Sequence, residues 1–189
     1  VDALVPAEID WEAVEEAPVR CADAAGAEKL AAAIDEARNA GDTLGGVVEG
    51  RVERVPMGLG SHVHWDRKID GLLAQALMSI HSVKGVEIGA GFAATRATGS
   101  QVHDVILPLG QWRPDRPWAR ATNNAGGTEG GITDGQDIVV RIALKPIATL
   151  PRALPSADLM TGEEIPAHYE RSDICVVPAA GIIVEAMCA

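Results

Sequence analysis

Several short segments of this chain set glycine, asparagine or threonine beside a fixed charge, the residue types that suit phosphate groups and polar ring edges. One is Asn123-Asn124-Ala125-Gly126-Gly127-Thr128-Glu129-Gly130-Gly131-Ile132, whose paired glycines let the backbone approach a ligand without a side chain in the way. It is neither the dinucleotide fingerprint nor a P-loop, since no G-x-G-x-x-G and no G-K-[ST] occurs. Taken alone it reads equally well as a flexible turn.

A second segment, Lys145-Pro146-Ile147-Ala148-Thr149, has a lysine leaving an apolar strand and a proline fixing the turn that follows. A third, Arg171-Ser172-Asp173, precedes the apolar run 174–177. Arginine can grip a phosphate bidentately, and an aspartate close to a cation stays ionised and can accept a proton. In the fourth, residues 80–89, His81 and Ser82 sit where a helix should run into a strand. Each has a plainer reading: a solvated strand end for Lys145, a surface ion pair for Arg171 and Asp173, a helix C-cap for His81.

His62 and His64 form an H-x-H pair without cysteine or carboxylate at metal-ligand spacing, so no metal is assigned. His103, Asp104 and His168 receive no role. Cys21, Cys175 and Cys188 are odd in number and lack a C-x-x-C pair, which fits reduced thiols, mostly buried, and no disulfide framework. A net charge of -11 leaves no basic surface for nucleic acid or an anionic membrane, so any anionic ligand must meet a local island of Arg and Lys. No apolar run is long enough to span a bilayer, and the acidic N-terminus is unlike a signal peptide, so a soluble cytoplasmic protein is expected.

The elements that must hold these segments can be read from periodicity. With 189 residues, 47% of them hydrophobic, a single domain with a core is the default. Residues 1–25 read as an acidic connecting segment and 26–189 as the α/β core. Leu30, Ile34 and Ala37 predict an amphipathic helix over 28–40, stopped by Gly41. Alternation of Val48, Gly50 and Val52 with charged residues predicts a half-buried strand over 44–55. Ile69, Leu72, Leu73, Ala76, Leu77 and Ile80 predict a helix over 66–80 with Asp66 as its cap. A short strand follows at 86–88, then a long irregular stretch over 96–135. The strand 138–144 is apolar on both faces, as in a covered sheet, and a last strand at 174–177 leads through Pro178 into an apolar helix. Both ends look cut: the chain starts at Val1 and stops inside that apolar run.

Read in order, the segments resemble the chorismate synthase series. They are G-D-T-L-G-G-V-V at 41–48, H-S-V-K-G-V-E-I-G at 81–89, G-S-Q-V-H-D at 99–104, N-N-A-G-G-T-E-G-G-I at 123–132, K-P-I-A-T-L at 145–150 and R-S-D-I-C at 171–175, covering nearly the whole chain. The resemblance implies an α+β fold, a layered β-α-β sandwich of which this chain holds about half, assembled as a homotetramer. It implies a lyase that converts 5-enolpyruvylshikimate-3-phosphate to chorismate by anti-1,4 elimination, using reduced FMN (FMNH2) that is not consumed overall.

On the same resemblance FMN would contact His81, Ser82, Gly130, Lys145, Pro146, Ile147, Ala148, Thr149 and Arg171, and Asp173 would be the acid/base group near the flavin. The family's G-E-S-H-G and G-H-A-D histidines, its R-S-S-A-R-E-T-like segment and several phosphate-gripping arginines do not occur in this sequence. Little or no turnover is therefore expected of these residues alone. The alternative is a non-catalytic flavin- or phosphate-binding remnant.

Overall fold

The computed structural model describes residues 9–112 and 118–189. In chain order these form α1 (Trp11–Glu16), α2 (Ala24–Ala40), β1 (Gly46–Val52), α3 (Ile69–Met78), β2 (Val83–Ile88), α4 (Gly99–Val102), β3 (Thr128–Glu129), β4 (Ile132–Thr133), β5 (Ile138–Leu144), β6 (Pro155–Ala157), β7 (Glu164–Pro166) and α5 (Val177–Cys188). They fall into two compact units, residues 1–46 with 144–181 and residues 47–143 with 182–189.

In the first unit, α2 starts at Ala24 rather than at 28, because the Asp23 side chain accepts the Ala25 N–H and caps the helix there. Gly41, left-handed at φ 68°, ends it as expected. The acidic opening is not all loop. Asp10 accepts the Ala13 N–H at 3.1 Å and nucleates the short α1.

The strand expected at 174–177 shrinks to one parallel bridge, Leu44 to Cys175, and α5 takes over at Val177. Pro178 lies in its first turn, where a missing N–H goes unnoticed. The hairpin of β6 and β7 gave no periodic signal. It pairs Pro155 with Pro166 and Ala157 with Glu164, and Asp158 closes its tip by accepting the N–H groups of Met160 (2.7 Å) and Thr161 (2.9 Å).

In the second unit β5 is the middle strand of a sheet ordered β1-β5-β2. Ile138, Val140 and Ile142 point into the core, while Val139 and Arg141 are half-buried and Ala143 is exposed. The strand is thus covered on one face, not both. Arg141 owes its place on the other face to Glu49 of β1, 2.9 Å away.

Helix α3 packs on β2 and buries Leu73 and Leu77. It begins at Ile69, with no side-chain cap. Asp66 lies upstream in a 3-10 turn with its carboxylate 2.7 Å from His64 Nδ1, and the Ile69 N–H donates instead to the Gly131 carbonyl at 3.0 Å. The end of α5 seats Val184 against β1 and β5. A Cβ at Gly50 would lie 2.7 Å from Val184 Cγ1, so only glycine admits this approach.

Candidate functional site

The first unit holds Lys145 to Thr149 and Arg171 to Asp173, and it brings the two segments side by side. Thr149 Oγ1 and Ser172 Oγ share a hydrogen bond of 2.8 Å. What aligns them is the G-D-T-L-G-G segment. The buried Thr43 hydroxyl donates to the Ile147 carbonyl at 2.7 Å, and the next residue, Leu44, donates its N–H to the Ile174 carbonyl at 2.8 Å. Thr43 and Leu44 had no role on sequence grounds. Their signal was present, since a polar residue inside a glycine-rich motif is more than a connection.

Lys145, Pro146, Ala148, Arg171 and Asp173 are exposed, and Ile147 and Thr149 are half-buried. Among the described residues neither Lys145 nor Arg171 is engaged in an ion pair, which leaves both charges available to an anion. The first unit therefore offers two uncommitted cations, a carboxylate and a threonine–serine pair on adjacent backbone.

The second unit holds His81, Ser82 and the glycine-rich loop. His81 is exposed in the turn between α3 and β2, and Ser82 adopts φ 70°. Left-handed backbone is uncommon for a serine and marks a position held by its surroundings. Asn123 folds the loop back on itself: its carbonyl accepts the Gly126 N–H (3.2 Å), its Oδ1 accepts the Gly127 N–H (2.9 Å), and its Nδ2 donates to the Asp137 carbonyl (2.8 Å). Gly126 lies flat on Gly89, so that a Cβ on Gly126 would lie 2.5 Å from the Gly89 Cα.

Beyond this, Glu129 and Ile132 pair across a tight turn in which Gly130 (φ 62°) and Gly131 (φ 89°) are both left-handed. Gly130 faces open space, with nothing within 4 Å of where a Cβ would be. Gly131 instead rests on Lys68 and its carbonyl receives Ile69.

Asp104 is the residue sequence reasoning missed here. It is only 7% exposed. Its Oδ1 accepts the Thr122 hydroxyl (2.5 Å) and the Asn124 N–H (2.8 Å), and its Oδ2 accepts the Ala125 N–H (2.8 Å). Burial pushes this carboxyl up, but the bonds from Thr122, Ala125 and Asn124 and the charge of Arg120 outweigh it and hold the group below the usual aspartate range. Arg120 donates to the Asp104 carbonyl (3.1 Å) and to Glu129 Oε2 (2.7 Å), with Asp134 3.3 Å from its Nε. The signal was G-S-Q-V-H-D, in which Asp104 had no periodic or catalytic company.

Ile88, Gly91, Val102, His103 and Asn124 line a shallow cleft of about 250 Å³ beside this network. Among the described residues no group of three His, Cys, Asp or Glu side chains could hold a metal ion, and no helix is long and apolar enough to cross a membrane. The three cysteines are free thiols, half-buried rather than buried.

In the first unit the exposed Lys145 and Arg171 suit an anionic group, and in the second the open backbone at Gly130 leaves room for a ligand.

The mixed helix-and-strand fold matches a crystal structure of chorismate synthase with a TM-score of 0.73 at 44% identity, covering 93% of this chain and 44% of that one. The layered α+β fold expected from the sequence is thus the fold found. The family model for chorismate synthase matches residues 3–189. Chorismate synthase of Moorella thermoacetica is 53% identical over 182 residues, 95% of this chain and 46% of the relative. That of Symbiobacterium thermophilum is 52% identical over 193 residues, 100% of this chain and 48% of the relative. The chain belongs to the chorismate synthase family, and it spans a little under half the length of these curated relatives.

Proposed function

We propose that this chain contributes the flavin-facing part of a chorismate synthase, a lyase that eliminates phosphate from 5-enolpyruvylshikimate-3-phosphate to give chorismate. The observation that carries the reading is the Thr149–Ser172 junction, which ties together, within one unit, the segments that carry Lys145 and Arg171. Reduced FMN, when bound, supplies electron density transiently as phosphate leaves. Lys145 and Arg171 offset the charge of phosphate-bearing ligands, and exposed Asp173 takes up or returns a proton at its carboxylate. Pro146, Ile147, Ala148 and Thr149 line the flavin with backbone and a hydroxyl. In the second unit, His81, Ser82 and Gly130 are the residues that the family resemblance assigns to the same cofactor.

The working enzyme is a cytoplasmic homotetramer. These 189 residues alone turn over little substrate, because the two general-acid histidines implied by the family resemblance do not occur in them. A near-normal elimination rate from this polypeptide would sink that claim.

The decisive experiment is an FMN titration followed by flavin fluorescence. Lys145→Ala and Arg171→Ala are each expected to weaken binding about tenfold. Equal affinity in both variants and the parent would overturn the assignment.

A further inference from the structure

Two successive backbone N–H groups converging on one acceptor make a nest that commonly holds a phosphate or another anion. Asn124 and Ala125 form such a nest in the glycine-rich loop, and the anion in it is the chain's own Asp104, received at 2.8 Å by each. The next two amides, Gly126 and Gly127, are spent on Asn123. The four consecutive amides from Asn124 to Gly127 are thus spent within the chain, and the loop's open backbone lies further on, at Gly130.

The two halves are mechanically joined. Arg120 binds the Asp104 carbonyl with Nη1 and Glu129, the residue before Gly130, with Nη2. The Arg120 side chain is only 10% exposed, while the Glu129 carboxylate it holds is 47% exposed, so the strut is anchored at its Asp104 end and reaches the surface at Glu129. Asn124 adds a tie to the Val102 carbonyl, which fixes the loop to α4 two residues before Asp104.

We propose that Asp104 is a positioning residue, an internal stand-in for a bound anion that shapes the 122–130 loop and so sets Gly130 for the cofactor. The inference rests on the flavin reading above for its last step, but the filled nest does not. Asp104 touches no ligand in this scheme. Its effect runs through the amides of Asn124 and Ala125 and through Arg120.

Asp104→Ala empties the nest and leaves room for a one-carbon carboxylate. In the full chain the variant is expected to bind FMN about tenfold more weakly than the parent in sodium chloride, and to regain most of that affinity when sodium formate replaces chloride at equal ionic strength. Formate should also raise the melting temperature of Asp104→Ala and leave the parent unchanged. Asp104→Asn, which keeps the volume and one acceptor oxygen, should lie between the two and serves if the alanine variant does not fold.

Parent-like FMN affinity in both variants, or a loss that formate does not restore, overturns the proposal. If the parent itself binds no FMN, the flavin reading falls and the melting shift alone decides: a formate-specific rise in Asp104→Ala carries the filled nest, and its absence overturns it.

Discussion

The hydroxyl of Thr43 donates to the main-chain carbonyl of Ile147 at 2.7 Å across 104 positions of sequence. One residue later Leu44 reaches the Ile174 carbonyl at 2.8 Å. A two-residue stretch thereby fixes the spacing of the segments that carry Lys145 and Arg171. Their shared geometry is imposed from behind by a buried side chain, not by the exposed residues themselves.

Thr43→Val keeps the shape and removes the donor. It leaves the Ile147 carbonyl short of a partner in a part-buried setting, which costs about 1 kcal/mol. Urea denaturation should show a lower midpoint at unchanged slope, and Thr43→Ser should recover most of the loss. A Thr43→Val midpoint equal to the parent's would show that this bond does not hold the two segments.

Gly126 and Gly130 are both left-handed but face different surroundings, and this separates backbone preference from packing. Alanine at 130 meets nothing and suffers only the conformational penalty, about 1 kcal/mol. Alanine at 126 adds a collision with Gly89, worth a further 1–3 kcal/mol or roughly that. Melting temperatures should therefore fall more for Gly126→Ala than for Gly130→Ala. Equal losses would mean that the Gly89 contact relaxes freely.

The periodic elements were legible because their burial is one-sided and local: Leu73 and Leu77 lie on one helical face, and Val140 and Ile142 on one face of a strand. What failed were boundaries decided by distant partners. Asp66 had the right chemistry for a cap, but the Gly131 carbonyl, brought from far along the chain, receives the Ile69 N–H instead. The hairpin of β6 and β7 is exposed on both strands, so it has no alternation to read, and only its Asp158 turn could have announced it. Lys145 and Arg171 were singled out as candidates from the company of their motifs. Asp104 and Thr43 were not, because a buried polar residue looks ordinary in sequence until its partners are known.

Asp104 should also shape the acid limb of stability. Its carboxyl titrates lower in the folded chain than an aspartate's ordinary value of about 3.9, so the folded state favours the ionised form. The stabilisation is then complete above the ordinary value and is lost as pH falls through the lowered one, where the folded chain too must take up the proton. Asp104→Asn cannot ionise and lacks this term at every pH. At neutral pH the variant should unfold at lower urea than the parent, and the gap should narrow steadily as pH drops below about 4. Other carboxylates titrate over the same range, but they are common to both proteins and cancel in the difference. A gap that stays constant from neutral pH down to the onset of acid unfolding would mean that the Asn124 and Ala125 amides do not distinguish the charged carboxylate from its neutral form.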